Sequence, residues 1–354
     1  MKKTIAVLFG GRGQEHAVSC ASAAAILAWL DRERYDPLPV AITREGDFFL
    51  YTGATRRIGD GTFPEDKKHL VPTFPARLGG VRGFLDGRRV RSVDAVIPCL
   101  HGDYGEDGRV QGLLDCAGLP YVGAGCAAGA VAADKAMTKA VAKLLGIPTL
   151  PWLLFTGREE EAEVSERVRA FFGTGEEFPA LFVKPDCLGS SVGASPAGGE
   201  EEFLAAYRAA ARYGRVIVEP RLAHPRELEV AALLTEEVPI LSYPGEVDSG
   251  TAFYSYEEKY LEDTAKITLS PSLDRETEEK LYAHSASLLS YLGCEGLARV
   301  DYFLTEDGTL CFNEVNTFPG FTAISLYPRL MERAGIPPAK LLTKLVEAAI
   351  DRRL

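Results

Sequence analysis

At 354 residues the chain is too long for one ordinary hydrophobic core, and two or three domains are expected. Its 46% hydrophobic and 25% charged residues are those of a globular protein, and a formal charge of −11 argues against nucleic acid or an anionic membrane as a main partner. No stretch approaches the ~20 apolar residues of a membrane span, and the seven scattered cysteines show no CxxC spacing, so neither a zinc site nor a disulfide framework is indicated and a cytoplasmic protein is expected.

Thr4 to Phe9 (TIAVLF) reads as a strand buried on both faces of a parallel sheet. Gly10, Gly11 and Gly13 turn the chain into a helix from about Glu15 to Leu30, whose N-terminus favours an anion. A dinucleotide fold opens in this way, but the spacing here is GGxG rather than GxGxxG. Nor does an acidic residue end the next strand, Leu38 to Thr43, to hold a ribose. Glu15 either answers the helix dipole or, beside the glycine turn, binds a substrate ammonium. Residues 53–91, rich in Gly, Pro and basic residues, read as an insertion without assigned chemistry. The buried strand Asp94 to Leu100 runs into His101-Gly102-Asp103-Tyr104-Gly105-Glu106-Asp107-Gly108 and a helix from Arg109. Polar groups after a parallel strand sit where open α/β sheets bind ligands. A short strand around Pro120 to Val122 closes the first domain.

An Ala-rich helix over about 127–145 bears Lys135, Lys139 and Lys143, residues that such a helix ordinarily leaves solvated. A strand at Leu150 to Phe155, a helix over 159–172 and a strand at Ala180 to Lys184 lead into Pro185-Asp186-Cys187-Leu188-Gly189-Ser190-Ser191-Val192-Gly193. The backbone N–H groups of that loop form a concavity for phosphate. GKS/T is absent and the lysine precedes the glycines, so the pattern is a hairpin lid over phosphates, not a Walker A loop. A helix over 200–213 and the strands Arg215 to Glu219 and Glu227 to Leu234 follow, with Glu227 and Glu229 on one face. Residues 243–266, containing FYSYEEKYLEDTAK, are long, aromatic and aperiodic, as a functional lid is. Helices over 274–292 and 338–352 flank the last strands.

Leu297 to Asn316 reads as a β-hairpin about Asp307-Gly308. If those two residues form the turn, Asp301 faces Glu314 and Arg299 faces Asn316. All four then share one face, and Ala298, Val300, Tyr302 and Leu304 point into a core. Facing carboxylates repel unless a cation lies between them. Asp, Glu and Asn offer only oxygen ligands, which suits a hard divalent metal; the alternative is a solvated face whose charges happen to align.

Lys135, Lys184, the Gly189–Gly193 loop, Glu219, Glu227 and the Arg299, Asp301, Glu314, Asn316 hairpin together resemble the ATP-grasp superfamily. Within it the chain resembles the D-alanine–D-alanine ligase family from end to end. The matching blocks are Gly10-Gly11…Glu15-His16…Val18-Ser19, His101-Gly102…Gly105-Glu106-Asp107-Gly108, and Val183-Lys184-Pro185 with Gly189-Ser190-Ser191-Val192-Gly193. Further along come Phe253-Tyr254…Tyr256-Glu257…Lys259-Tyr260, Asn313-Glu314-Val315-Asn316-Thr317…Pro319-Gly320 and Ser325-Leu326…Pro328. The resemblance implies an α/β (α+β) chain with a Rossmann-like N-terminal domain over 1–124, a central ATP-grasp lid subdomain over 125–214, and a C-terminal ATP-grasp domain over 215–354. It implies ATP-dependent joining of two D-alanines through a D-alanyl phosphate, for peptidoglycan precursors, in a homodimer formed through the first domain.

On the same resemblance, Asp301, Glu314 and Asn316 would bind two Mg²⁺ ions (Mn²⁺ able to substitute) on the ATP phosphates, with Glu314 shared. Lys135, Lys184 and Lys259, with Ser190 and Ser191, would meet phosphates. Glu219 and the backbone near Leu222 would hold adenine, and Glu227 the ribose. Glu15 would hold the first substrate's ammonium, with Ser190 and Tyr260 tying its surroundings to the closing loop, and His101 would lie near that substrate's carboxylate. Arg299 and the Gly320 backbone would stabilise the oxyanion. Ser325 and Leu326 would form the second subsite, Ser325 taking the carboxylate.

There are departures. Position 13 is Gly where relatives commonly have Ser or Thr. Glu257-Glu258-Lys259-Tyr260 is similar to the resistance-type ligases that make D-alanyl–D-serine. Leu326, however, is apolar where those enzymes tend to place Arg, so D-alanine is the expected second substrate. A nucleotide-binding sensor without catalysis is a further alternative, and Arg299 argues against it, since binding alone needs no oxyanion stabiliser.

Overall fold

The computed structural model describes residues 2–173, 175–189, 192–248 and 266–352. Its first sheet is centred on β1 (Lys3–Gly10), whose residues Ile5 to Phe9 are wholly buried, as an unbroken apolar run requires. After α1 (His16–Trp29) the chain adds β2 (Tyr35–Ile42), parallel to β1, then β3 (Phe48–Tyr51), α2 (Thr55–Gly59) and β4 (Leu70–Pro72) along an antiparallel edge. The expected insertion also contains a separate antiparallel sheet of β5 (Pro75–Leu78), β6 (Val81–Asp86) and β7 (Arg89–Ser92). β8 (Ala95–Pro98) returns to the first sheet, parallel to β1, and α3 (Arg109–Cys116) follows the polar loop. Pro120 to Val122 make one parallel bridge, Val96 to Tyr121, not a strand, because Gly123 turns the chain away at φ +104°.

The single Ala-rich helix expected over 127–145 is two helices, α4 (Cys126–Ala132) and α5 (Lys135–Leu144). Asp134 adopts extended backbone between them, and its carboxylate accepts from Met137 N at 2.8 Å to cap the second. The break re-aims the lysines: Lys135 is 7% exposed and Lys139 0%, where solvated side chains were expected.

The next unit packs around its own core. β9 (Leu153–Phe155), α6 (Glu161–Phe172), β10 (Leu181–Pro185), β11 (Ser195–Ala197), α7 (Glu200–Ala211) and β12 (Val216–Pro220) form an antiparallel sheet of order β11-β10-β12-β9 with two helices. Leu181, Val183, Val216 and Val218 face α6 and α7, so the period-two alternation sends Lys184 and Glu219 to the opposite face.

The third sheet comprises β13 (Arg226–Leu234), β14 (Ile240–Leu241), β15 (Gly245–Asp248), β16 (Lys266–Thr268), β17 (Gly296–Leu304) and β18 (Leu310–Asn316), with α8 (Arg275–Leu292) inserted before β17. One face packs Leu228, Ala298, Val300, Tyr302 and Phe312 against α8, α4 and α5. The other meets α9 (Leu326–Arg333) and α10 (Pro338–Asp351), which also cover Ile5 and Val7 of the first sheet in one continuous core. α9 leaves little trace in the sequence: it is only eight residues long, and Pro328 in its first turn reads as a breaker although that turn tolerates it. No helix among the described residues is long and apolar enough to cross a membrane.

The hairpin turns differently from the expectation. Thr305 N donates to Thr309 O across the three residues Glu306-Asp307-Gly308, with Gly308 left-handed at φ +79°. Near the loop Leu304 pairs with Leu310 and Tyr302 with Phe312. A bulge then inserts Asn313, and beyond it Asp301 faces Glu314 and Arg299 faces Asn316. The odd-length loop displaces the register by one residue and the bulge restores it.

Candidate active site

The hairpin's polar face is closed by β13, which brings Glu229 opposite Asp301. Arg299 lies between the two acids: Nε and Nη2 donate to Asp301 Oδ1 and Oδ2 at 2.7 Å each, and Nε pairs with Glu229 Oε2 at 2.8 Å. Asn316 Nδ2 donates to Asp301 Oδ2 at 3.0 Å, and Lys135 Nζ stands 3.3 Å from Glu314 Oε2. Carboxylate and amide oxygens on neighbouring strands, balanced by two cations, form a donor set that can hold a hard divalent metal.

A buried row of charge lies beside it. Glu219, 2% exposed, pairs with Lys139 and Lys184 at 2.7 Å each. Burial alone would raise its pKa, but the two ammonium groups outweigh that and hold it at about 2. Lys184 Nζ also donates to Asn313 Oδ1 at 3.2 Å, so the bulge delivers a ligand as well as a register. Sequence reasoning assigned no role to Lys139, Glu229 or Asn313. The parity of Glu227 with Glu229 signalled the second, whereas a bulge and a helix break leave no periodic trace for the others.

Three glycine segments meet at Glu15, the N-cap residue of α1. A Cβ at Gly102, which is left-handed at φ +60°, would lie 2.0 Å from Glu15 Oε2, so that position needs glycine for the carboxylate to sit there, and a Cβ at Gly189 would come within a tight 3.3 Å of the same oxygen. Glu106 is its neighbour. Its carboxylate accepts from Gly102 N at 2.9 Å and Phe318 N at 2.8 Å, and burial, followed by the charge of Glu15, pushes its pKa up to about 7. A cleft lined by Gly102, Glu106, Lys135, Leu188, Gly189, Glu314 and Asn316 joins this corner to the hairpin.

His101 is buried, with Nδ1 2.8 Å from Phe318 O and Nε2 3.0 Å from Ser22 Oγ. A carbonyl only accepts, so Nδ1 bears the proton of the neutral ring and Nε2 accepts from Ser22. Burial lowers the pKa to about 4. Because the folded value lies below the ordinary 6.5, the neutral ring's contribution is complete above about pH 6.5 and is lost as pH falls towards 4. Up to about 3 kcal/mol is at stake. Stability measured against pH is therefore expected to fall less steeply over that window in His101→Gln than in the unaltered chain.

The other expected positions are spread around this centre. Ser325 Oγ accepts from Thr322 N at 3.0 Å and shares a 2.8 Å hydrogen bond with Thr322 Oγ1 at the entry to α9, and Leu326 is buried in the core that α9 and α10 share with the first sheet. Gly320 is partly exposed in the loop between β18 and α9. Leu222 is partly buried in the β12–β13 turn, and Glu227 on β13 is opposite Phe303. Ser190, Ser191, Lys259 and Tyr260 lie outside the described residues.

Two β-sheets gripping a lysine- and carboxylate-lined cleft behind a parallel-centred N-terminal sheet form the ATP-grasp architecture. Family models described as D-ala D-ala ligase N-terminus and C-terminus match residues 4–124 and 141–347. The chain is 40% identical over 358 residues to a D-alanine–D-alanine ligase of Deinococcus radiodurans, covering 100% of each, and 39% identical over 361 residues to one of Chlorobium limicola, covering 99% of this chain and 98% of that one. Among solved structures it is similar to the D-alanine-D-alanine ligase from Coxiella burnetii (TM-score 0.86, 34% identity, 99% of this chain and 94% of that chain). It is equally similar to the VanG D-Ala:D-Ser ligase from Enterococcus faecalis (TM-score 0.87, 35% identity, 99% and 100%). The chain belongs to the D-alanine–D-alanine ligase family.

Proposed function

We propose that the chain joins two D-alanines at the expense of ATP, supplying D-alanyl-D-alanine for peptidoglycan precursors in the cytoplasm. The observation that supports this most is the facing pair Asp301 and Glu314 with Arg299 between Asp301 and Glu229, and Lys135 reaching Glu314. A carboxylate is a poor electrophile, so its oxygen first attacks the γ-phosphorus, ADP leaves, and a D-alanyl phosphate forms. The second amine then attacks the acyl carbon and inorganic phosphate leaves.

In this reading Asp301, Glu314 and Asn316 hold two Mg²⁺ ions, or Mn²⁺ in their place, which neutralise phosphate charge. Lys135, Lys184 and Lys259, with Ser190 and Ser191, bind the phosphates. Glu219 and Leu222 flank adenine, and Glu227 meets the ribose. Glu15 takes the first ammonium, with Ser190 and Tyr260 joining it to the closing loop, while His101 orders the wall near the first carboxylate. Arg299 and the Gly320 backbone receive the developing oxyanion, and Ser325 and Leu326 seat the second D-alanine. Residues 1–124, 125–214 and 215–354 are the expected substrate, lid and metal-bearing parts, except that α4 and α5 pack on the third sheet and β12 belongs to the lid sheet, and two copies associate through the first.

Phosphate release over a panel of D- and L-amino acid pairs is the test. Release is expected to need ATP, Mg²⁺ and D-alanine, and turnover with L-alanine alone would refute the proposal. The likeness to a D-Ala:D-Ser ligase motivates D-serine as the rival second substrate. Against the apolar Leu326 side chain a methyl group fits and a hydroxyl is left unpaired. D-alanine is accordingly expected to win by up to about 10² in kcat/KM.

A further inference from the structure

Lys135 in the cleft and Lys184 beside it sit on elements that belong to different cores. Lys135 is on α5, which packs on the third sheet, whereas Lys184 and the glycine loop extend from β10 in the lid sheet. Their spacing therefore depends on what joins α5 to β10.

One cluster does so. The first three N–H groups of α5 are taken by two acids: Lys135 N donates to Asp186 O at 3.2 Å, Ala136 N to Asp186 Oδ1 at 2.9 Å, and Met137 N to Asp134 Oδ1 at 2.8 Å. Asp186, the residue after β10, is fully buried. Arg215, immediately before β12, places Nη2 on both Asp134 Oδ2 and Asp186 Oδ2, and its carbonyl accepts from Asp186 N at 3.0 Å. From the helix side, Lys135 Nζ donates to Leu188 O at 2.6 Å, inside the glycine loop. Asp134, Asp186 and Cys187 bring ligand atoms within 4.8 Å of one another, the spacing of a metal site, but the Arg215 guanidinium already lies on both carboxylates and supplies the positive charge.

We propose that Asp186 and Arg215 are positioning residues for the nucleotide: with Asp134 they pin the start of the glycine loop to the first turn of α5, and so fix the distance between that loop and Lys135. The inference rests on the reading of Lys135 as a phosphate-binding group. Neither residue lines the cleft. Each acts by holding two phosphate-facing segments in register, and a displacement of about 1 Å at such a point costs up to about 10²-fold.

The test reads ADP affinity by titration calorimetry in Mg²⁺, together with the KM values for ATP and D-alanine. Arg215→Gln is expected to weaken ADP binding and raise the KM for ATP about tenfold, with the KM for D-alanine within about twofold and recovery of most of the loss in Arg215→Lys. Asp186→Asn keeps the acceptor for Ala136 N but loses the charge and the Oδ2 acceptor for Arg215 Nη2. It serves as the second variant if Arg215→Gln does not fold, with an expected rise of about threefold. ADP affinity within about twofold of the unaltered chain in both variants, or an equal rise in the two KM values, overturns the proposal. ADP binding needs no amino acid, so a chain that failed to join D-alanines would refute the proposed function and leave this comparison readable.

Discussion

Arg299→Ala is expected to lower kcat by about 10²–10³-fold while changing the KM for ATP by less than about threefold, the signature of a group used only in the transition state. Arg299 sits between Asp301 and Glu229, so its guanidinium is fixed before any substrate arrives. Preorganised positive charge aimed at a developing oxyanion accounts for an effect of that size. The same contact makes a second outcome measurable. Arg299 donates to both oxygens of Asp301, so removing it withdraws a competing positive charge from that carboxylate while the Asn316 hydrogen bond stays, and half-saturating Mg²⁺ is expected to fall. A variant with normal kcat, measured by phosphate release at saturating substrates, would refute the role.

Glu219→Gln is expected to be the most damaging single change to stability, by about 3–5 kcal/mol, because it strands Lys139 and Lys184 without their counter-charge in a buried site. Denaturant unfolding measures it. Combining Glu219→Gln with Lys139→Met, which also removes one of the stranded charges, is expected to recover a substantial part of the loss. The pH dependence has a definite sign. The folded pKa of about 2 lies below the ordinary 4.5, so the stabilisation is complete above about pH 4.5 and disappears as pH falls towards 2. The variant's stability is expected to be flatter across that acid window than that of the unaltered chain.

The facing of Asp301 and Glu314 was legible in the sequence for a reason only partly right. A two-residue turn at Asp307-Gly308 predicts it; the actual three-residue loop would undo it, and the Asn313 bulge restores it. Strand parity is a local property, which is why the strands and their faces could be read. Loop length and bulges offset one another, and only their sum constrains the site. The buried strands of the first sheet and the lid were legible because apolar runs and alternation are physical consequences of covering one or two faces. The burial of Lys135 and Lys139 was not legible from the helix pattern, since a composition rule for amphipathic helices contains no information about a cap at Asp134 that starts a new helix; only the family resemblance singled out Lys135. Glu106 and His101 were visible as polar residues after a parallel strand, but their partners, Phe318 and Ser22, are distant in sequence and belong to tertiary structure alone.

The core shared by the first sheet and the last two helices has a consequence for synthesis on the ribosome. Ile5 and Val7 are made well before Leu326, Leu330, Leu341 and Leu345, which share their core. A growing chain therefore holds part of an apolar face uncovered until α9 and α10 have been made, whatever its N-terminal sheet has already formed. Vectorial folding of the N-terminal half can proceed only as far as an open-sided intermediate, and the final two helices close it.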